Sequence, residues 1–158
     1  MSGQPPDLVA IRPARHDDLP AIVALLANDP LGQSREDPAD PLPAAYGQAF
    51  DDIAAQSGNH QFVAELDGVI VGCLQLTIIP GLSRRGTKRG LIEAVRVGAN
   101  SRGLGIGERL VRHAIDIARV AGCGLVQLTT DKSRTDAHRF YERLGFVASH
   151  VGFKLALD

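Results

Sequence analysis

A glycine-rich run at residues 102–107 separates two patterns of regular structure. Before the run, residues 91–97 form a predicted β-strand, in which successive side chains lie on opposite faces. After it, residues 106–121 carry apolar side chains at helical spacing. A strand that turns through glycines into a helix presents free backbone N–H groups at the positive end of the helix dipole. The run therefore predicts an anion site and favours a diphosphate.

Glycine runs also occur in other nucleotide sites and in turns that bind nothing. The spacing of Gly103, Gly105 and Gly107 does not give the GxGxxG fingerprint of dinucleotide-binding folds, because Glu108 follows Gly107. No Gly-Lys-Ser/Thr closes the run, as a Walker A loop would require. A tight strand-to-helix turn without a ligand therefore remains the alternative to an anion site.

Strand and helix patterns alternate through the rest of the chain. Asp67-Gly68 separates two β-rich runs and is typical of a tight hairpin. The predicted strands are 9–12, 61–66, 69–79, 91–97, 125–130, 146–151 and 153–157, and the predicted helices begin at Asp17 or Asp18, at Ala44, at Ile106 and at Ser133 or Thr135. This order predicts an α/β fold with a mixed sheet, in a single domain of residues 1–158.

The composition excludes several functional classes. With 17 Lys and Arg against 18 Asp and Glu the net charge is −1, so the basic footprint of a nucleic-acid-binding domain is missing. Cys73 and Cys123 lie in apolar runs rather than in CxxC pairs, and the five histidines show no metal-binding spacing, so we expect no metal. No apolar stretch approaches the roughly 18 residues of a membrane span. We therefore expect a cytoplasmic protein that binds neither nucleic acid nor membranes.

Two motifs in the C-terminal half resemble the signatures of one enzyme family. Arg102, Gly105 and Gly107 match the RxxGxG signature of the GNAT superfamily of N-acetyltransferases, and residues 140–146 match its FYxxxGF pattern. The resemblance implies a GNAT-like fold, with a central mixed, mostly antiparallel sheet, splayed parallel strands and flanking helices. It also implies that acetyl-CoA is the co-substrate and that a primary amine accepts the acetyl group.

The same resemblance assigns roles to individual residues. Glu93 would be the base that takes a proton from the amine, and Tyr141 the acid that protonates the departing thiolate. The backbone N–H of Val95 would meet the oxyanion. Arg134 stands where the family often has Asn, and its guanidinium could reach a phosphate instead. The residues assigned to the coenzyme are Val95, Arg96, Val97, Arg102, Gly103, Leu104, Gly105, Ile106, Gly107 and Arg134.

The orientation of Glu93 has more than one interpretation. The alternation of a strand predicts that Glu93, Val95 and Val97 share one side unless a β-bulge intervenes. Glu93 could instead face solvent, or pair with Arg89 or Arg96. The family motifs favour the role of Glu93 as the base.

Other functional interpretations stay open as well. Tyr141 could be a core aromatic with a satisfied hydroxyl. The basic residues Arg84, Arg85, Lys88 and Arg89 could contact a phosphate or an acidic acceptor, although such clusters are usually solvated. A non-catalytic acetyl-CoA-binding sensor or scaffold is the alternative function. The sequence does not specify the acceptor, which could be a small-molecule amine or a peptide amine. It does not specify the oligomeric state either, and the protein could form a homodimer.

Overall fold

The computed structural model describes residues 8–157. They form two compact units, and the boundary lies between Gln127 and Leu128. The single domain of residues 1–158 that the sequence predicts stays a prediction. The strands are β1 (Val9–Pro13), β2 (Asn59–Leu66), β3 (Val69–Ile79), β4 (Arg89–Val97) and β5 (Leu125–Leu128). The helices are α1 (Leu19–Ala27), α2 (Ala44–Ala55), α3 (Ser83–Gly86), α4 (Ile106–Val120) and α5 (Thr135–Arg143), with short 3-10 turns at His16–Asp18, Gly32–Ser34 and Ala99–Ser101.

The five strands form one sheet in the order β1-β2-β3-β4-β5. β1 pairs antiparallel with β2, β2 with β3, and β3 with β4. The predicted hairpin joins β2 to β3 at Asp67 and Gly68, whose φ angles of 52° and 77° give a turn that matches the twist of the strands. β5 lies next to β4 after the crossover through α4. The predicted α/β class, with a mixed sheet and flanking helices, is confirmed.

Helix α4 covers one face of the sheet. It is the longest helix, and no helix in the described part of the chain is both long and apolar enough to cross a bilayer. Leu110 and Ala118 on its apolar stripe are each 1% exposed. A Cβ added to Gly72 or Gly90 of the sheet would lie 3.0 Å from Leu110 or 3.2 Å from Ala118. Glycines in β3 and β4 therefore allow the helix to approach the sheet closely.

The opposite face of the sheet is covered by α1 and α2. Ile22 of α1 packs against Val63 and Cys73, and both of these strand residues are fully buried. α2 lies beside the start of β2 and borders a cavity of about 160 Å³, which Phe50 and Gln61 help to line. Along β2 and β3, the side chains on this face change from apolar at the paired Val63 and Cys73 to polar at the paired Gln61 and Gln75.

The second unit holds α5 and the segment that follows it. Apolar residues alternate through this segment, but residues 146–157 form no strand, and Phe153 and Leu155 are 93% and 85% exposed. The predicted strands 146–151 and 153–157 are therefore wrong. Alternation specifies an extended conformation with two faces, whereas a strand also needs a backbone partner, which the pattern does not supply.

Candidate active site

The glycine run forms the entry to α4. Gly105 is the N-cap with a φ of 76°, and Gly103 has a φ of 82°, both in the left-handed region that glycine tolerates. A Cβ built on either glycine would meet no described atom within 4 Å. The backbone N–H groups of Ile106, Gly107 and Glu108 donate no hydrogen bond to a described residue. The loop is therefore an open cradle of free donors at the positive end of the helix dipole.

The side chains around this cradle differ in exposure. Ile106 is 1% exposed and anchors the loop in the core, while Leu104 is 39% exposed. The N–H of the buried Ser101 donates to the carbonyl oxygen of Gly98 at 2.9 Å. Arg102 is exposed and forms no ion pair within the described chain. Its guanidinium is therefore available to an anion that approaches the cradle.

β4 carries a bulge between Glu93 and Arg96. Gln75 of β3 pairs with Glu93 and Cys73 pairs with Arg96, so that two residues of β4 lie opposite a single residue of β3. Ala94, within the bulge, has a φ of 51°, which is uncommon for a residue with a side chain. The extra residue interrupts the alternation of side chains along the strand.

The bulge corrects one prediction about the faces of β4. Residues paired directly across antiparallel strands share a face, so Glu93 and Arg96 lie on the face opposite to α4. Val97 pairs with Gly72, where an added Cβ would contact α4. The prediction that Glu93, Val95 and Val97 share one side is therefore wrong for Val97, because a period of two does not continue through a bulge.

The side chain of Arg96 connects the bulge to the segment that follows α1. Its Nε lies 3.0 Å from Asp29 Oδ2, although this N–H is not aligned as a hydrogen bond, and its Nη1 donates to the Val95 carbonyl oxygen at 2.8 Å. Asp29 also accepts the N–H of Gly32 at 2.5 Å. Sequence reasoning missed Asp29, because nothing in the loop from residue 29 to 43 shows which strand it contacts.

The carboxylate of Glu93 is exposed and has no partner within the described chain. Neither arginine that could have paired with it does so. Arg96 lies against Asp29, and Nη1 of Arg89 donates to Gln127 Oε1 at 3.3 Å. Glu93 can therefore take up a proton or hold a cation without first losing another interaction.

Half-buried polar side chains surround Glu93 on its face of the sheet. Gln75 lies opposite Glu93, Gln61 lies opposite Gln75, and Gln75 Nε2 donates to Asn59 Oδ1 at 3.1 Å. We call this set the polar face. Its members are Asn59, Gln61, Gln75, Thr77, Arg89, Glu93 and Gln127. Sequence reasoning missed all of them except Glu93 and Arg89. Counting back from the hairpin at Asp67-Gly68 would place Gln61 opposite Leu74 instead of Gln75, because the register shifts by one residue between Ala64 and Glu65.

Cys73 lies behind the bulge and is fully buried. Its Sγ approaches the carbonyl oxygen of Ala94 at 3.6 Å. Burial raises the pKa of the thiol to about 12, so it stays protonated at neutral pH. The structure thus confirms the interpretation of Cys73 as a buried thiol rather than a nucleophile.

Tyr141 and Arg134 lie in the second unit. Tyr141 is half-buried on α5, and its ring meets those of Phe140 and Phe146 edge to face, with centroids 5.0 and 5.7 Å apart. Arg134 is the N-cap of α5, and its N–H donates to the carbonyl oxygen of Asp131 at 3.0 Å. The roles assigned to both residues by resemblance stay predictions.

Comparison with known proteins finds similarity over most of the chain. The crystal structure of a transcriptional regulator from Bacillus halodurans C-125 is 48% identical, with a TM-score of 0.92, and the match covers 94% of this chain and 99% of that one. The aminoalkylphosphonate N-acetyltransferase of Salmonella typhimurium (strain LT2) is 38% identical over 62% of this chain. The glucosamine 6-phosphate N-acetyltransferase of Trypanosoma brucei brucei is 36% identical over 61% of this chain.

Each of these two N-acetyltransferases is matched over 63% of its own length. The family model for the acetyltransferase (GNAT) family matches residues 21–146. This range includes the bulged strand with Glu93, the glycine cradle, α4 and the FYxxxGF motif. The chain therefore belongs to the acetyltransferase (GNAT) family.

Proposed function

We propose that this chain is an N-acetyltransferase that moves an acetyl group from acetyl-CoA to a primary amine. The observation that carries the proposal is the cradle of free N–H groups at the start of α4, which suits the two linked phosphates of coenzyme A. Membership of the family and the activities named for the two relatives support it. The cytoplasmic location expected from the sequence belongs to the same proposal.

The residues present fit this co-substrate. The N–H groups of Ile106, Gly107 and Glu108 offer donors to the diphosphate, and Arg102 adds a positive charge beside them. Gly103 and Gly105 leave room for the close approach of an anion. The backbone from 95 to 97 is assigned to the pantetheine arm by the family resemblance. When bound, acetyl-CoA supplies the thioester whose carbonyl carbon the amine attacks.

Glu93 acts on the acceptor. An amine is mostly protonated at neutral pH and must lose a proton before its nitrogen can form a bond to carbon. The free carboxylate of Glu93 accepts that proton, directly or through one water molecule. The C–N bond then forms as the C–S bond breaks, and the Tyr141 hydroxyl gives a proton to the departing sulfur. The new amide nitrogen loses its second proton to solvent, and solvent returns a proton to the tyrosine oxygen. The role of Tyr141 rests on the motif at residues 140–146.

The relatives indicate which acceptors to assay first. The names of the two N-acetyltransferases specify amines that also carry a phosphonate or a phosphate group. Two compounds of this kind, 2-aminoethyl phosphate and glucosamine 6-phosphate, together with their unphosphorylated counterparts, form a compact first panel.

The proposal is tested by release of coenzyme A thiol from acetyl-CoA in the presence of each amine. We expect turnover with at least one amine, and we expect Glu93→Gln to lower kcat by about 10²- to 10⁴-fold, as loss of a general base does. Asp116→Asn is the control, because it makes the same carboxylate-to-amide change on the exposed surface of α4. Equal activity of Glu93→Gln and the wild type would refute the assignment of the base.

A second candidate function is a non-catalytic acetyl-CoA-binding domain. It is favoured by one observation, that the relative with 48% identity is a transcriptional regulator. Equilibrium titration with acetyl-CoA separates the two functions. Tight binding without thiol release on any amine of the panel would favour the sensor, and binding with turnover would favour the enzyme.

A further inference from the structure

Arg89 is a half-buried arginine of the polar face that has no acidic partner within the described chain. Its Nη1 reaches only the neutral amide of Gln127, at 3.3 Å. Two other half-buried arginines are compensated: Arg12 is held by two carboxylates at 2.8 and 2.9 Å, and Arg96 lies 3.0 Å from one. Partial burial of a charge without a counter-ion is costly, so the position of Arg89 indicates an anion supplied from outside the chain.

Arg89 and Glu93 lie on the same face of β4. A Cβ on Gly90 would lie 3.2 Å from Ala118 of α4, and Ile92 is 2% exposed. Because side chains alternate along a strand, the residues on either side of Gly90 and Ile92 belong to the face away from α4. Four residues of strand separate the Cα atoms of Arg89 and Glu93 by about 13 Å. One small molecule that lies along the strand, across the half-buried Leu91 between them, can therefore meet both side chains.

Amide groups lie beside this path on the neighbouring strands. Gln75 uses its Nε2 on Asn59, and Gln61 uses its Nε2 on the Leu74 carbonyl oxygen at 3.2 Å. The Oε1 atoms of both glutamines accept no hydrogen bond from a described residue. They can therefore accept hydrogen bonds from the hydroxyl or ammonium groups of a ligand. The polar face thus offers a carboxylate at one end, amide oxygens beside it and a guanidinium at the other end.

We infer that the acceptor is a small amine with an anionic group, and that Arg89 recognises this group while Glu93 receives the amine. The inference rests on the proposed function, which makes Glu93 the base. An anionic acceptor compensates the charge of Arg89, whereas a neutral amine leaves it without a counter-ion. The exposed Arg84 and Arg85 in the turn before β4 add positive charge at the same end of the strand.

The experiment compares kcat/KM for matched acceptors that differ only in the anion. The probes are 2-aminoethyl phosphate with 2-aminoethanol, and glucosamine 6-phosphate with glucosamine, and β-alanine tests a carboxylate. We expect the wild type to prefer the anionic member of each pair. In Arg89→Gln this preference should fall about ten- to a hundred-fold through a higher KM for the anionic amine, with little change for the neutral one. Arg89→Lys should restore part of the preference, because it keeps the charge without the guanidinium fork.

Arg119→Gln is the matched control, since it removes an exposed arginine from α4. The KM for acetyl-CoA should be the same in all these variants, which also shows that they fold. Equal losses on anionic and neutral acceptors in Arg89→Gln, or a wild-type preference for neutral amines, would overturn the inference and leave the proposed function intact. If no amine is turned over, titration of 2-aminoethyl phosphate into the acetyl-CoA complex decides instead. Binding that is lost in Arg89→Gln supports the inference, and absence of binding by the wild type overturns it.

Discussion

Single residues in this chain hold elements together through charges that the fold partly removes from water. Asp18 joins β1 to α1, since its carboxylate accepts two hydrogen bonds from the Arg12 guanidinium, at 2.8 and 3.0 Å, and one from the Arg15 N–H at 2.7 Å. These bonds hold the pKa of Asp18 below its ordinary value of 3.8, with the side-chain bond from Arg12 as the main cause. The charged form of Asp18 is therefore the one that stabilises the fold.

Replacing Asp18 with Asn removes the charge and keeps the shape. We expect the free energy of unfolding at pH 7 to fall by about 1.5–3 kcal/mol, because hydrogen bonds to a charged group are lost. Since the pKa of Asp18 is lowered by folding, its contribution is complete above pH 3.8 and is lost as the pH falls further. Denaturant unfolding of the variant should thus be less sensitive to pH below 3.8. Asp17→Asn, at the exposed neighbouring position, should leave both the stability and the pH profile unchanged.

At the scale of elements, α4 is bounded by two glycines with the same backbone requirement and different surroundings. Gly105 at its start and Gly122 after its end have φ angles of 76° and 83°, and an added Cβ would meet nothing within 4 Å at either site. Folding therefore constrains the two positions equally. Only Gly105 lies in the cradle that we assign to the diphosphate. Substitutions at the two glycines therefore separate the loss of stability caused by backbone strain from the loss of affinity caused by a blocked ligand site.

Gly105→Ala and Gly122→Ala should each destabilise the protein by about 1–2 kcal/mol, which is the cost of a side chain in the left-handed region. We expect only Gly105→Ala to weaken acetyl-CoA binding, by about tenfold or more, because its Cβ occupies the space through which a phosphate reaches the N–H groups. Calorimetric titration measures the affinity, and thermal unfolding measures the stability. Equal affinities in the two variants would show that the diphosphate lies elsewhere.

At the scale of the whole molecule, the two faces of the sheet perform different tasks. The face under α4 is apolar, and Phe62 meets the ring of His113 there at 4.8 Å between centroids. The other face combines the buried cluster of Ile22, Val63 and Cys73 with the polar residues around Glu93. Burial lowers the pKa of His113 from its ordinary value of 6.5, so the folded state favours the neutral imidazole.

This environment predicts a loss of stability in mild acid. Because the unfolded chain takes up a proton at His113 more readily than the folded one, the free energy of unfolding should decrease as the pH falls below about 6.5. His113→Gln should remove this part of the pH dependence, whereas His150→Gln, at an exposed position, should retain it. Urea unfolding at several pH values between about 5 and 8 gives the comparison. A slope that is identical in the two variants would contradict the assignment to His113.

The sequence by itself determined the features that depend on neighbouring residues. The hairpin at Asp67-Gly68, the amphipathic α4 and the glycine run before it were predicted correctly, because turn chemistry and side-chain periodicity act within a few residues. The two motifs also identified the family. Local patterns specify a strand's conformation but not its partner, and for that reason the strands predicted after residue 145 are absent.

Only the tertiary structure decided which distant residues meet. The bulge at Ala94 puts Glu93 and Arg96 on one face and Val97 on the other, and it arises from the pairing of β4 with β3. The same pairing brings Gln75 beside Glu93. The contact of Asp29 with Arg96 likewise depends on where a loop meets a strand. Strand register and loop docking are set by packing across the whole sheet, and no local pattern in the chain encodes them.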